Sequence, residues 1–450
     1  MSYVPSFSGL GIALRGVLAQ QRALDVTGHN IANVETPGYS RQEAVLTAAT
    51  ALQLHDGQTA YGNSAQLGQG VEVQEYRRLR DDFLDLQWRA QQMNGGEADA
   101  QATKLMQIEA AFADSTDSGL GKQLSNFYSA WSDLAANPES TSARTALFAK
   151  AQTLISGIRA LDQHLTDVSG ATTSELNSLI GAGGRIDQIA REVKDLNDAI
   201  NASIVRGEQP NDLKDRRDTL LDELSQYGSV SLSVPDGTKP GFVRVMFAGA
   251  STALVDNASA TPVTLPTVGT ISATPGGKIE GLQAVNTAIG TYRTMLDTVA
   301  SRLVSQVNAQ HGTPAFFLAG GTTAATIALG AGLTGPSTIV AGSGNAGDNS
   351  IALAIAGQRS SSGTNPITDW TALISKIGSD LAEQKASSLT AQRVLDSLTQ
   401  QRASTHGVSL DEEMTNMMRF QRGYQAAARA LTAMDENLDI LINRTGRVGL

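Results

Sequence analysis

Both ends of the chain carry the same repeating apolar pattern, which restricts what those ends can form. Near the start, Leu10, Leu14, Val17, Gln21, Leu24, Gly28 and Ile31 recur at alternating intervals of four and three. Near the finish, Leu410, Met414, Met417, Gln421, Tyr424, Ala428 and Leu431 do the same. Met434, Leu438 and Leu441 carry that stripe on after a three-residue stutter. Alternation of four and three keeps a narrow seam turned toward one partner helix. Two such seams on one chain are expected to meet each other, or copies of themselves in neighbouring subunits. The sharp form of this expectation packs Leu10, Leu14, Val17, Leu24 and Ile31 against Met414, Met417, Tyr424, Leu431 and Leu438, with Phe420 and Leu441 completing the assembly face.

Composition excludes several alternatives. The 34 basic and 44 acidic residues leave a formal charge of −10, the wrong sign for displacing counterions from a nucleic acid. Cysteine is absent, which removes disulfides, thiolate metal ligands and thiol nucleophiles. The five histidines, at 29, 55, 164, 311 and 406, fall at no zinc-binding spacing and are expected on the surface or in turns. No apolar run approaches the ~20 residues of a membrane span. No basic stretch precedes an apolar one at the N-terminus, so a cleaved secretory signal is not expected.

Nothing in the motifs points to chemistry. Phosphate-binding glycine patterns, a nucleophile elbow and calcium loops are absent, and Gly342, Gly344 and Gly347 read as a surface loop. We therefore assign no catalytic, cofactor-binding or metal-binding residue, and expect no enzyme. Charged clusters read as solvated or helix-complementing. Arg77, Arg78 and Arg80 beside Asp81 and Asp82 are expected on a solvated helix face, as are Asp218, Asp222 and Glu223. Asp411, Glu412 and Glu413 begin a helix, where they complement its dipole.

Along the chain, a first helix over 8–33 is closed by Thr36-Pro37-Gly38, and 40–76 reads as extended or loop-like. Helix dominates 77–227, with Asn94-Gly95-Gly96 expected to separate two helices. Leu147, Ala151, Leu154, Ile158, Leu161, Leu165 and Val168 form an internal seam. Helical patterning continues past Gly181, Gly183 and Gly184, and Asp212 is expected to cap a helix carrying Leu213, Leu220, Leu221 and Leu224. Alternation at Val230, Leu232 and Val234 and at Val243, Val245 and Phe247, with a turn at Pro235-Asp236-Gly237, predicts a small β-region over 228–280. Helix returns at 281–309 and from Trp370 to Arg402, with a break at His406-Gly407. Between them, 312–366 is rich in Gly, Ala, Ser and Thr and reads as β-rich or as loop.

The expected fold is mainly α with a smaller β part: an elongated multidomain rod whose N- and C-terminal helices nest as a coiled coil or bundle, with a β-rich region inserted at the far end. The expected divisions are 1–40 with 407–450 as the terminal assembly region, 41–227, 281–311 and 367–406 as a helical bundle, and 228–280 with 312–366 as a β-rich outer region.

Residues 29–42, HNIANVETPGYSRQ, resemble the N-terminal signature shared by bacterial flagellar axial proteins, matched here by Asn30, Ile31, Ala32, Asn33, Thr36, Gly38, Tyr39 and Arg41. Pro210–Leu224, the stretch from Val307 to Gly312, and the C-terminal stretch with Phe420, Tyr424 and Gln425 resemble the hook-associated members of that family. The resemblance implies a structural adaptor between hook and filament, built as a ring of copies and touching the hook protein and a second junction protein. It implies export to the extracellular flagellum through the type III apparatus without a cleaved signal, and an export chaperone on the C-terminal helix. No cofactor, nucleic acid or membrane insertion is implied. Better-known members carry a large outer domain after the region of His311, where this chain has some 55 residues. Other readings are the hook protein or another axial protein, and a secreted type III translocator or effector.

Overall fold

In the computed structural model of the protein, residues 8–54, 65–113, 119–234, 239–250, 253–256, 274–360, 363, 365–440 and 442 are described. Helix dominates, with a few short antiparallel strands. The accessible surface, 23691 Å², exceeds by about half the ~16,000 Å² expected of a compact monomer of this mass, as an elongated molecule requires.

Helices α1 (Ser8–Ala32) and α10 (Leu410–Asp439) lie together, far apart in sequence. A Cβ on Gly9 would meet Met434, one on Gly16 would meet Ala427, and one on Gly423 would meet Gln20. Asn30 bonds Glu413. Numbers rise on one helix as they fall on the other, so the pair is antiparallel. The line of closest approach runs through small residues: Ala13, Ala19, Ala23 and Thr27 are the buried positions of α1 ahead of Asn30. Small side chains let helix backbones approach closely.

After α1 the chain turns back as β1 (Gln42–Ala48), which pairs antiparallel with β4 (Val71–Arg78). Strands β2 (Leu52–Leu54) and β3 (Ala65–Leu67) pair in the same hairpin. This hairpin runs along α1: Arg15 donates to the Gln69 carbonyl at 3.1 Å, and a Cβ on Gly70 would touch Ile12. Among its described residues, the stretch 41–78, grouped above with the helical bundle, holds four short strands and lies along α1. Its half-buried alternation finds cover there.

Helix α2 (Asp82–Phe112) starts where the Asp81 carboxylate accepts from the amides of Phe83 and Leu84, satisfying two orphan donors. It runs unbroken through Asn94-Gly95-Gly96, against expectation. The glycines are required there by packing: a Cβ on Gly96 would lie 2.3 Å from the Gln226 carbonyl, and Gly95 faces Ala391. Tertiary contact overrides the propensity that would break the helix.

Around α2 pack α4 (Thr141–Ile180), α7 (Gly277–His311) and α9 (Pro366–His406), with α3 (Leu120–Ala136) alongside α4. Every member of the internal seam except the half-buried Leu161 is buried. Helix α4 stops at Ile180, and Gly181–Gly184 form a turn before α5 (Arg185–Val205), so the helical pattern is interrupted where continuity was expected.

Two cores result. The first joins α3, α4, α7 and α9 around Phe127, Trp131, Tyr292, Phe316, Phe317 and Trp370. The second joins α5, α6 (Asn211–Tyr227) and the hairpin of β5 (Val230–Ser233) and β6 (Arg244–Phe247) to the start of α7. The expected turn at Pro235-Asp236-Gly237 lies outside the described residues. In 312–366, the expected β-rich stretch shows, among the described residues, one isolated bridge, Phe317 to Leu329, and the helix α8 (Ser350–Gly357). Its apolar residues Phe316, Ile327, Ile339 and Ile355 fill the first core. Its low periodicity reflects coil moulded onto helices. The larger sheet sits at the terminal-helix end, and the helical core carries 312–357.

Candidate functional site

The axial-type signature folds into one hydrogen-bonded knot. Asn33 closes α1 by donating to the His29 carbonyl at 3.0 Å and accepting from the Thr36 hydroxyl at 3.1 Å. The turn Thr36-Pro37-Gly38-Tyr39 has proline at its second position and Gly38 at φ +78° at its third, the arrangement of a type II turn. A Cβ on Gly38 would lie 2.2 Å from the Thr219 hydroxyl of α6, so conformation and space both demand glycine.

Asn30 is the centre of the knot. It is 1% exposed, and its amide uses all four hydrogen-bonding sites. It donates to the Gln42 carbonyl (2.9 Å) and to Glu413 (3.1 Å), and accepts from the Tyr39 hydroxyl (2.8 Å) and the Gln42 amide (3.0 Å). Since Tyr39 donates to Asn30, His29 Nδ1 donates to Tyr39 at 3.0 Å. Burial, then the nearby Asp212, push the Tyr39 phenol above its usual range, so it stays a neutral donor. Arg41 reaches across to α10, with Nε 2.8 Å from Glu413 and a terminal nitrogen 2.6 Å from Glu412. Its backbone amide donates to the His406 carbonyl at 2.9 Å. One short segment thus ties α1, β1, α9 and α10 together.

Behind the knot, four arginines and four aspartates alternate in a partly buried network. Arg78 bridges Asp215 and Asp218 (2.8 Å each); Arg80 pairs with Asp85 (2.6 Å) and Asp218 (2.7 Å). Arg89 pairs with Asp222 (2.6 Å), and Arg402 pairs with Asp85 (2.9 Å) and Asp222 (2.8 Å). Burial alone would raise the Asp218 carboxyl, but Arg80 and Arg78 hold it below the ordinary range. This corrects the reading of Arg78, Arg80, Asp218 and Asp222 as solvated faces: opposite charges distant in sequence meet here, which no local pattern encodes. Glu413 likewise lies buried against Arg41. Asp212 sits inside the first turn of α6 and accepts from Gln42 at 3.0 Å; Pro210 occupies the cap position.

Two histidines also depart from the expected surface placement. His406 is buried and its Nε2 accepts from the Asp81 amide at 2.9 Å. His311 is buried in the first core; Nδ1 donates to the Pro314 carbonyl at 2.6 Å, and Nε2 accepts from the Val340 amide at 3.0 Å. Each ring replaces a backbone partner at a helix end.

The seam residues are distributed around the terminal pair. Leu10, Val17, Leu24, Ile31, Met417, Phe420, Leu431 and Leu438 are half-buried, flanking the line of small residues. Leu14, Met414 and Tyr424 are exposed, together with Leu18, Leu410 and Met418. Leu441 lies outside the described residues. A cleft of 470 Å³ opens between α1, α10 and β1, lined by Ala23, Thr27, Arg41, Val45, Glu413 and Phe420. Among the described residues there is no cluster that could hold a metal ion, and no helix long and apolar enough to cross a membrane.

This arrangement, with both chain ends paired and locked to a helical body by the Asn30–Arg41 segment, coincides with three family matches. Residues 10–39 match the flagella basal body rod protein model, 399–444 match the flagellar basal body rod FlgEFG protein C-terminal model, and 105–315 match the flagellar hook-associated protein FlgK helical domain. The molecule is thus a structural protein of the bacterial flagellum in class. Its relatives are more specific. The chain is 29% identical over 504 residues to flagellar hook-associated protein 1 of Bacillus subtilis (strain 168), covering 98% of this chain and 99% of that protein. It is 32% identical over 228 residues to the protein of that name from Escherichia coli (strain K12), covering 50% of this chain and 39% of the other. The flagellar hook junction protein FlgK of Burkholderia pseudomallei is a solved structure with 23% identity and a TM-score of 0.43, covering 50% of this chain and 43% of that one. The chain is thus similar, over almost its whole length, to a flagellar hook-associated protein 1, and its middle to that protein's helical domain.

Proposed function

We propose that this chain is the adaptor that joins hook to filament, assembling as a ring of copies through its terminal helices. The observation that carries the reading is the α1–α10 pair. Its inner line is closed by small residues, while Leu14, Leu18, Leu410, Met414 and Met418 face outward without cover in the single chain. Contiguous exposed apolar side chains mark protein contact surfaces. The hook protein on one side and a second junction protein on the other are the partners this role requires. The C-terminal stripe through Leu431, Leu438 and Ile442 is an amphipathic target suited to an export chaperone groove, for passage through the type III apparatus to the cell exterior. The role is mechanical and uses no catalytic residue or cofactor.

Deletion of the gene tests it, read by electron microscopy of the cell surface and by flagellin in the medium. Bare hooks with flagellin lost to the medium are the expected result. Missing hooks would move the role to the rod or hook, and normal filaments would overturn it.

A further inference from the structure

Helix α2 carries an apolar knob on one side and a groove on the other. Phe83 is 68% exposed and Leu86 52%, and Ala90, one turn further on, is exposed too. Spacings of three and four put them on one face. The cap of α2 uses the Phe83 backbone amide, which donates to the Asp81 carboxylate at 3.0 Å, a contact that any side chain would leave intact. Burying a phenylalanine takes roughly 150–250 Å² out of water, and the single chain leaves this ring uncovered. A groove of 560 Å³ lies where α2, α6 and α9 meet, and its lining runs from Arg80, just ahead of α2, to Gln92. That stretch brackets the level of Phe83 and Leu86. Trp88 lies within it, with Thr399, Ala403 and Gly407 beside it. The indole nitrogen of Trp88 donates to Thr399 at 2.9 Å, and the Arg402 guanidinium sits 4.6 Å over the ring, so the aromatic surface is held in place. Asp85 and Asp222 already meet the Arg402 charge.

At about 100° per residue, Phe83 and Leu86 point roughly 170° away from Trp88 and Gln92. The knob therefore cannot enter the groove of its own chain. We propose that Phe83, with Leu86 beside it, seats in the groove over Trp88 of the adjacent copy. The occupant is a second copy of this chain, because knob and groove stand on opposite faces of one helix at one level. Each copy then offers its knob to one neighbour and its groove to the other. Such a head-to-tail contact repeats by rotation about an axis parallel to α2, needs no rise, and can close. The inference rests on the ring assembly proposed above. It adds a contact at the level where the terminal pair meets the helical body, beside the His406-Gly407 break.

Variants carried in cells lacking the native gene test it, scored by the amount of this chain retained in purified hook–filament particles. Phe83→Asp is expected to lower retention by about tenfold, while Phe83→Leu, which keeps an apolar knob, holds it near the native level. Ala403→Trp fills the groove from within and is expected to lose retention as F83D does. F83D or A403W retained at the native level would overturn the contact. Phe83 and Ala403 are exposed, so the purified variants should melt as the native chain does. A cross-link decides even where one of them does not fold. The chain has no cysteine, so Gln87→Cys and Ala403→Cys, both at exposed positions, place one thiol beside the knob and one beside the groove. In particles holding the double variant, a short bismaleimide is expected to join copies into a ladder of multimers, and each single variant is expected to give none. A double variant that stays monomeric in the particles, or Q87C copies that link to one another, would overturn the contact. Failure of the adaptor role itself looks different: the native chain would then be absent from the particles and its deletion would leave filaments attached.

Discussion

At the residue scale, the knot depends on groups that cannot lose one partner without leaving another buried and unpaired. Arg41→Met removes the charged partner of Glu413, whose side chain is 2% exposed, and leaves it only the Asn30 amide. Breaking a buried pair in this way costs about 3–5 kcal/mol, so R41M should lower denaturant stability by that order. E413Q, added to it, should recover part of the loss by removing the stranded charge; an additive double variant would show that the two side chains do not interact. His406 supplies a pH dependence with a defined sign. Burial, against the opposing pull of Asp85, lowers its proton affinity in the folded chain, so the unfolded chain takes up the proton first. Stability should therefore fall as pH drops below about 6.5. His406→Gln keeps an acceptor for the Asp81 amide and removes the titration. Thermal melts between about pH 7 and 5 should show a shallower slope for H406Q, with His311, lowered chiefly by burial, accounting for the rest. An unchanged slope would acquit His406. The Asp218 contribution lies in a separate window: its lowered carboxyl adds stability above about pH 4 that is lost on further acidification.

At the element scale, the α1–α10 pair is closed by alanine and glycine. Ala23 is 1% exposed, on the inner line of the pair. Ala23→Leu should push the helices apart at about 1–3 kcal/mol. Hydrogen exchange should quicken in α1 and α10 while amides of the first core, around Trp131 and Trp370, keep their protection; equal loss in both would mean that the pair and the bundle unfold as one unit. The same element shows what periodicity reveals and what it hides. The 4-3 stripes located both terminal helices, which lie side by side, but not their packed face, since Leu14, Met414 and Tyr424 of the expected seam are exposed. They did not identify the inner line, because alanine and glycine carry little hydropathy signal. Local glycine rules misread Gly95-Gly96 as a break for a related reason: whether a glycine ends a helix or admits a neighbour depends on what packs there, here Gln226. The turn at Thr36–Tyr39 was legible because its chemistry is local. The Arg78–Asp218 network was not, because its partners lie 140 residues apart in sequence.

At the scale of the whole molecule, the segregation of assembly surface from folded body makes a clean prediction. Leu431 lies half-buried on α10, remote from both cores. Leu431→Asp should abolish incorporation into the ring while leaving the principal thermal melt of the purified chain unchanged. A lost melt would defeat the idea that the terminal pair serves assembly alone. The resemblance to flagellar axial proteins was legible from a few short segments near the ends and middle, whereas the fate of 312–366 was not. Its apolar residues follow no period because they are placed by the helices they cover, as Phe316, Ile339 and Ile355 are by the first core.

The slenderness of the inner line has a consequence for growth. Each methylene withheld from a helix contact forgoes ~0.8 kcal/mol of burial, so a pair joined through alanine, glycine and threonine is weakly held by its own two strands of chain. Leu14, Leu18, Met414 and Met418 stay exposed in the single chain. A free copy therefore gains little by ordering its ends alone, and two free copies gain little more. In the ring assembly proposed above, a copy that joins others already in place gains contacts on several sides at once, so that assembly would be governed by a template and not by encounters between single copies.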